Sequence, residues 1–113
     1  MVDAGLRDLG PKVIKTKVVN VTAAGEENEV GIAAVPGKKI VVVNFFLTVS
    51  TSVYICFRSN TTDLTGEMLL AAKGTYNPGY NPDGHFQTDA GEILNIGFGD
   101  VGNADGWINY YEE

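Results

Sequence analysis

One cysteine, one histidine, four prolines, and no lysine or arginine after position 73 are the first features of this 113-residue sequence. Each scarcity excludes something. A lone Cys56 cannot form an internal disulfide, and its mid-strand position suits a small buried hydrophobe. Zinc sites need three or four Cys, His or carboxylate ligands at recognisable spacings, and none occur. His85 and Cys56 have nothing in sequence to join them into a nucleophilic pair. No cofactor or metal is therefore expected. Long helical patterns are absent, so no glycine-rich loop leads into a helix that would hold phosphate. No run approaches the roughly 20 apolar residues of a membrane helix. Residues 1–10 lack the basic start and apolar stretch of a signal peptide. The expectation is a soluble protein made in the cytoplasm, with no membrane partner.

Charge is unevenly placed. Residues 1–73 carry all eight Lys and Arg beside seven acids, whereas residues 74–113 carry seven acids alone. The net charge is −6. Such a surface repels phosphate, which argues against a nucleic-acid partner. A solvated acidic face accounts for it, and so does a head-to-tail contact between copies, basic start against acidic end.

Apolar content of 44% and 14 glycines make the chain a β-rich globular domain long enough to bury a core. The organising stretch is Pro36–Ser59. Two apolar runs flank Ser50-Thr51-Ser52, the pattern of a β-hairpin. In that register Val49, Leu47 and Phe45 face Val53, Ile55 and Phe57, with Val41 and Val43 continuing the same face. The other face carries Ile40, Val42, Asn44, Phe46 and Thr48 against Tyr54, Cys56 and Arg58, so that Phe46 opposes Cys56 and Asn44 opposes Arg58. It is too apolar to meet water alone and is expected to contact another subunit.

The remaining chain reads as an arm over 1–11 and a sandwich domain over 12–113. Strands are predicted at 13–22, 29–35, 68–72, 85–88, 92–99 and 107–111, joined by turns. With the two strands of the central stretch, this gives about eight at intervals of 8–12 residues. That is the pattern of an all-β, single-domain antiparallel β-sandwich, best matched by an eight-stranded jelly roll. Asp100, Asn103 and Asp105 share a predicted loop, but it lacks the closing Glu of a calcium loop. Carboxylate pairs of a glycosidase are conceivable among the seven C-terminal acids, yet so small a domain has little room for a cleft. An enzyme is not expected.

Aromatics are the other lead. Tyr76 and Tyr80 sit in two successive Tyr-Asn-Pro motifs, in an ordered loop that suits ligand stacking. Trp107, Asn109 and Tyr111 share one face of the last strand, Ile108 and Tyr110 the other. Core packing, a subunit interface and sugar stacking all remain open for these rings. The expected interface set is Phe46, Tyr54, Cys56, Arg58, Trp107 and Tyr111.

A family likeness joins several pieces. They are Gly37-Lys38-Lys39-Ile40, the run Phe57-Arg58-Ser59-Asn60-Thr61-Thr62-Asp63-Leu64-Thr65-Gly66, and Met68-x-Leu70-Ala71-Ala72-x-Gly74. Then come Asn81-Pro82-Asp83-Gly84-His85-Phe86-Gln87-Thr88, Gly91-Glu92-x-Leu94-Asn95-Ile96 and the closing Tyr111-Glu112. In this order, over residues 20–113, the chain resembles small β-sandwich proteins from the structural genes of tailed bacteriophages. The resemblance implies a capsid decoration or cement protein of the virion, a homotrimer that binds the major capsid protein. Residues 1–19 have no counterpart in that likeness. A carbohydrate- or receptor-binding module of a tail or fibre is the other class of function the residues allow.

Overall fold

The computed structural model describes residues 13–24, 28–99 and 102–113. The predicted arm over 1–11 and the centre of the loop at 23–28 lie outside the described residues. Ten strands follow in order. They are β1 (Lys15–Ala24), β2 (Asn28–Ile32), β3 (Ile40–Val49), β4 (Val53–Ser59) and β5 (Thr62–Asp63), then β6 (Met68–Leu70), β7 (Thr75–Tyr76), β8 (Phe86–Gln87), β9 (Leu94–Phe98) and β10 (Gly102–Glu112). No helix occurs among the described residues.

The strands form two antiparallel sheets. Sheet A runs β1-β10-β3, with β7 and β8 both on the far side of β3. Sheet B runs β2-β9-β4, with β5 and β6 both on the far side of β4. If each broken pair counts as one interrupted strand, the described residues form eight strands in two four-stranded antiparallel sheets. The expected fold class is the observed one.

Alternation builds the core. Val53, Ile55 and Phe57 on β4 and Leu94, Ile96 and Phe98 on β9 point inward, to meet Phe45, Leu47 and Val49 on β3, Ile108 on β10, and Val19 and Val21 on β1. Phe57 lies at its centre, with ring centroids 4.8 Å from Phe45 and 4.7 Å from Phe86. Polar groups within this layer are paired. The Ile40 N–H donates to Thr88 Oγ1 at 2.9 Å, and Ser59 Oγ donates to Glu92 Oε1 at 2.5 Å while accepting from the Asp89 N–H at 2.9 Å.

Three expectations change here. First, β3 and β4 are not a paired hairpin. β3 bonds to β10, and β4 bonds to β9. The Ser50-Thr51-Ser52 loop crosses between sheets, tied down where the Ser50 N–H donates to the Asn103 carbonyl at 3.1 Å. Phe45 still meets Phe57 as expected, but across the sandwich.

Second, a bulge interrupts the alternation. Asn109 pairs with Asn44 and Tyr110 with Val42, so one residue of β3, Val43, has no partner on β10. The extra residue reverses the in-out phase. Ile40 and Val42 therefore join the core, while Val41 and Val43 form a separate outer cluster with Tyr111. Third, the last strand begins at Gly102 and not at Trp107. Gly106 permits this continuation at φ +147°, with its backbone so close to β3 that any Cβ would overlap the Phe46 carbonyl oxygen.

Candidate functional site

Because β3 and β4 belong to different sheets, the expected interface set divides. Phe46, Trp107 and Tyr111 lie on the outer face of sheet A. Tyr54, Cys56 and Arg58 lie on the outer face of sheet B. Phe46 pairs with Trp107 and not with Cys56, whose partner is Gly97; Asn44 pairs with Asn109, and Arg58 with Asn95 and Asp63.

On sheet B, Tyr54 is half exposed and pairs with the exposed Leu69 of β6. Arg58 lies flat over Gly97, where a Cβ would come within 2.9 Å of the guanidinium carbon. Its Nε donates to Asp63 Oδ1 at 2.8 Å, and that bond raises its pKa further. The pair is partly solvated and contributes less than about 1 kcal/mol. Cys56, 2% exposed, is shut beneath this arrangement. Burial pushes its thiol pKa up, against the opposing pull of Arg58. Cys56 is accordingly removed from the interface set.

Two outcomes follow for that thiol. In the native protein it should react with a maleimide or disulfide reagent at least tenfold more slowly than in urea; equal rates would contradict its burial. The folded thiol also holds its proton to higher pH than the unfolded one. Its stability contribution is thus complete below the ordinary thiol range and declines as pH rises through it.

On sheet A the outer face has two parts. One is covered by the protein itself. The chain from Asn81 to His85 runs along β3, with the Asn81 N–H donating to the Val43 carbonyl and the His85 N–H to the Val42 carbonyl, both at 2.8 Å. Gly84 sits so close to Val41 that a Cβ would overlap its Cγ1. Val41, Val43 and Tyr111 are buried together on this part of the face. Tyr111 therefore also leaves the interface set. The loop is braced internally, since Asn81 accepts from the Asp83 N–H at 3.0 Å and His85 Nε2 lies 2.7 Å from the Gly79 carbonyl oxygen.

The other part is less covered, with Phe46 and Trp107 half-buried and Val18 exposed. Val18 on β1 pairs with Trp107 on β10, which pairs with Phe46 on β3. Trp107 and Phe46 stack with centroids 6.1 Å apart, and Val18 is 70% exposed. Three adjacent strands thus carry an in-register apolar row on the outside of the sandwich. Sequence reasoning found Phe46 and Trp107 but missed Val18. Lys15 bonds Glu112 at 3.0 Å, which raises the lysine pKa.

Tyr76 and Tyr80 are both exposed, but of the two only Tyr76 lines a cleft. Tyr76 is an edge residue of the core, its ring edge-on to Phe45 at 5.3 Å. With Met68, Leu69, Leu70, Ala71, Gly74 and Thr75 it lines a cleft of about 400 Å³ between the short edge strands β6 and β7. Tyr80 is 61% exposed and does not line that cleft. Of the predicted loop with Asp100, Asn103 and Asp105, the last two are residues of β10 and Asp100 lies outside the described residues. No group of three His, Cys, Asp or Glu side chains that could hold a metal ion occurs among the described residues.

What these surfaces define is an antiparallel β-sandwich domain with an apolar row on one face and an apolar cleft at one edge. Comparison with protein-family models, with curated proteins and with solved structures finds no match.

Proposed function

We propose that the protein is a non-enzymatic virion structural protein of a tailed bacteriophage, a homo-oligomer, trimer favoured, that stabilises the capsid shell by binding the major capsid protein. The observation that supports this is the row Val18–Trp107–Phe46. Three large apolar side chains stand in register on the outer face of sheet A, Val18 exposed and Phe46 and Trp107 half-buried. Aromatic anchors of this kind carry binding energy when a partner desolvates them. The ordered resemblance of residues 20–113 to phage structural proteins supplies the virion setting and the trimer.

The test has two readouts. Sedimentation equilibrium at micromolar concentration should give a trimer, and the protein should co-sediment with shells assembled from the accompanying major capsid protein. Phe46→Asp should keep its far-UV spectrum and melting temperature yet lose shell binding by at least a hundredfold. A wild-type monomer that ignores such shells would refute the proposal.

The exposure of Tyr80 favours a second reading, a sugar-binding module that stacks a pyranose on that ring. Glycan-array binding lost in Tyr80→Ala would support it over shell binding.

A further inference from the structure

Two amide side chains beside the apolar row have their oxygens engaged and their hydrogens left over. Asn44 of β3 pairs with Asn109 of β10, one rung along the outer face from Phe46 and Trp107. Asn44 Oδ1 accepts from the Phe45 N–H at 2.9 Å and from Asn77 Nδ2 at 3.3 Å. Asn109 Oδ1 accepts from Thr16 Oγ1 at 2.8 Å. Neither amide NH2, nor the Trp107 indole N–H, has a partner among the described residues. This side of the row thus offers donors and aromatic surface, with its amide oxygens already in use.

The rung on the other side of the row differs. There Asp105 stands between Asn20 and Thr48. It is exposed and forms no ion pair among the described residues, and it is the one charged residue of these three rungs. We infer that this face docks a proline-rich segment in the polyproline II conformation that carries a lysine or arginine on its Asp105 side. The inference rests on the reading that the row binds the shell, and it names the kind of segment the shell presents.

Donor balance selects that conformation. A polyproline II segment has no internal hydrogen bonds, and its prolines have carbonyls but no N–H, so it accepts where Asn44, Asn109 and Trp107 donate. An added β-strand would bring N–H groups for which the two amides have no oxygen to spare. Sugar hydroxyls likewise donate as well as accept. Aromatic side chains on neighbouring strands are the surface on which proline rings pack. Length agrees too. From Val18 to Phe46 the row crosses two strand spacings, about 9.5 Å. One turn of polyproline II is about 9.3 Å. Every third residue of the segment falls on the same side, so a single repeated cation position faces Asp105 while the prolines face the rings.

Blocked nonapeptides test this on the full chain, read by the fluorescence of Trp107, the only tryptophan. Three Pro-Pro-Gln repeats should bind saturably with Kd below about 1 mM, and three Gly-Gly-Gln repeats should not. Three Pro-Pro-Lys repeats should bind at least about fivefold tighter, a difference that Asp105→Asn should abolish. Asn44→Asp and Asn109→Asp keep the engaged oxygens and replace only the unpartnered NH2. Each should retain the native circular dichroism spectrum and weaken the Pro-Pro-Gln peptide at least about tenfold. Where one of the two misfolds, the other decides. Equal affinity for proline and glycine peptides, or unchanged affinity in the Asn variants, would overturn the inference. So would saturable binding of cellohexaose with neither proline peptide bound, which would give the face to a sugar. Protein that co-sediments with shells yet binds no peptide leaves the shell reading standing and ends this one. Peptide binding without shell binding does the reverse.

Discussion

Gly106→Ala should destabilise the protein by about 4 kcal/mol, among the largest effects a single methyl group can have. Two causes act together. The residue sits at φ +147°, which side chains rarely adopt, and the new Cβ would overlap the Phe46 carbonyl oxygen. Relief requires β10 to separate from β3 where Gly106 pairs with Leu47, in the middle of sheet A. No flexible side chain stands in the way that could swing aside, because the obstructing atom is backbone. Urea unfolding followed by tryptophan fluorescence measures the effect, since Trp107 is adjacent. Gly66→Ala is the matched control. Nothing lies within 4 Å of the Cβ it would add, so it should change stability by less than about 0.5 kcal/mol. Equal unfolding midpoints for the two variants would show that the close approach of β10 to β3 is wrong.

Phe57→Ala should cost about 3–5 kcal/mol, combining lost burial with the cavity left behind. Phe57 is wholly buried and touches two other rings, Phe45 and Phe86, one from the centre of sheet A and one from its edge. It joins the layers where the interrupted strand β7–β8 offers least backbone pairing. Tyr76→Ala, at the rim of the same aromatic group and 39% exposed, should cost less than half as much. The comparison is read from chemical-denaturation midpoints at constant slope. A larger loss at Tyr76 than at Phe57 would move the core's centre towards the cleft and contradict the packing described here.

Particular residues explain how far the fold was legible beforehand. β4 was predicted with its observed bounds, because Val53–Ser59 alternates cleanly between a polar crossing loop and Asn60, which takes a left-handed φ of 55°. The inward residues of β4, Val53, Ile55 and Phe57, were correct for the same reason. The pairing of β3 was not. Phe45 facing Phe57 is as well explained by two sheets stacked about 10 Å apart as by two strands bonded side by side, and alternation does not distinguish them. Nor could the bulge be seen. It falls beside Ile40-Val41-Val42-Val43, where every residue is apolar and the alternation has no visible phase. Gly102 to Gly106 was taken for a turn because its composition is that of one; only the partner strands β1 and β3 hold it extended.

The candidate surfaces were legible in part. The excess of apolar groups outside the core was correctly noticed at Phe46 and Trp107. Which of them the chain covers itself depended on where the 81–85 segment lands, and no local pattern encodes that. Tyr111 and Cys56 look as exposable in sequence as Trp107 and Tyr54 do.

The position of β10 has a consequence for how the molecule comes into being. β10 lies between β1 and β3, and its partners on β1 are separated from it by most of the chain. During synthesis β3 meets its short neighbours β7 and β8 once residues 75–87 are made, but β1 has no partner in sheet A, and β3 lacks its longest one, until residues 102–112 have been made. The sandwich cannot close progressively from the N-terminal side. Until then the nascent chain exposes long apolar strands, and closing so large a loop makes folding slow for a domain of this size. Holdase chaperones acting on the growing chain, and a lag between completed synthesis and native structure, are the expected signs of this topology.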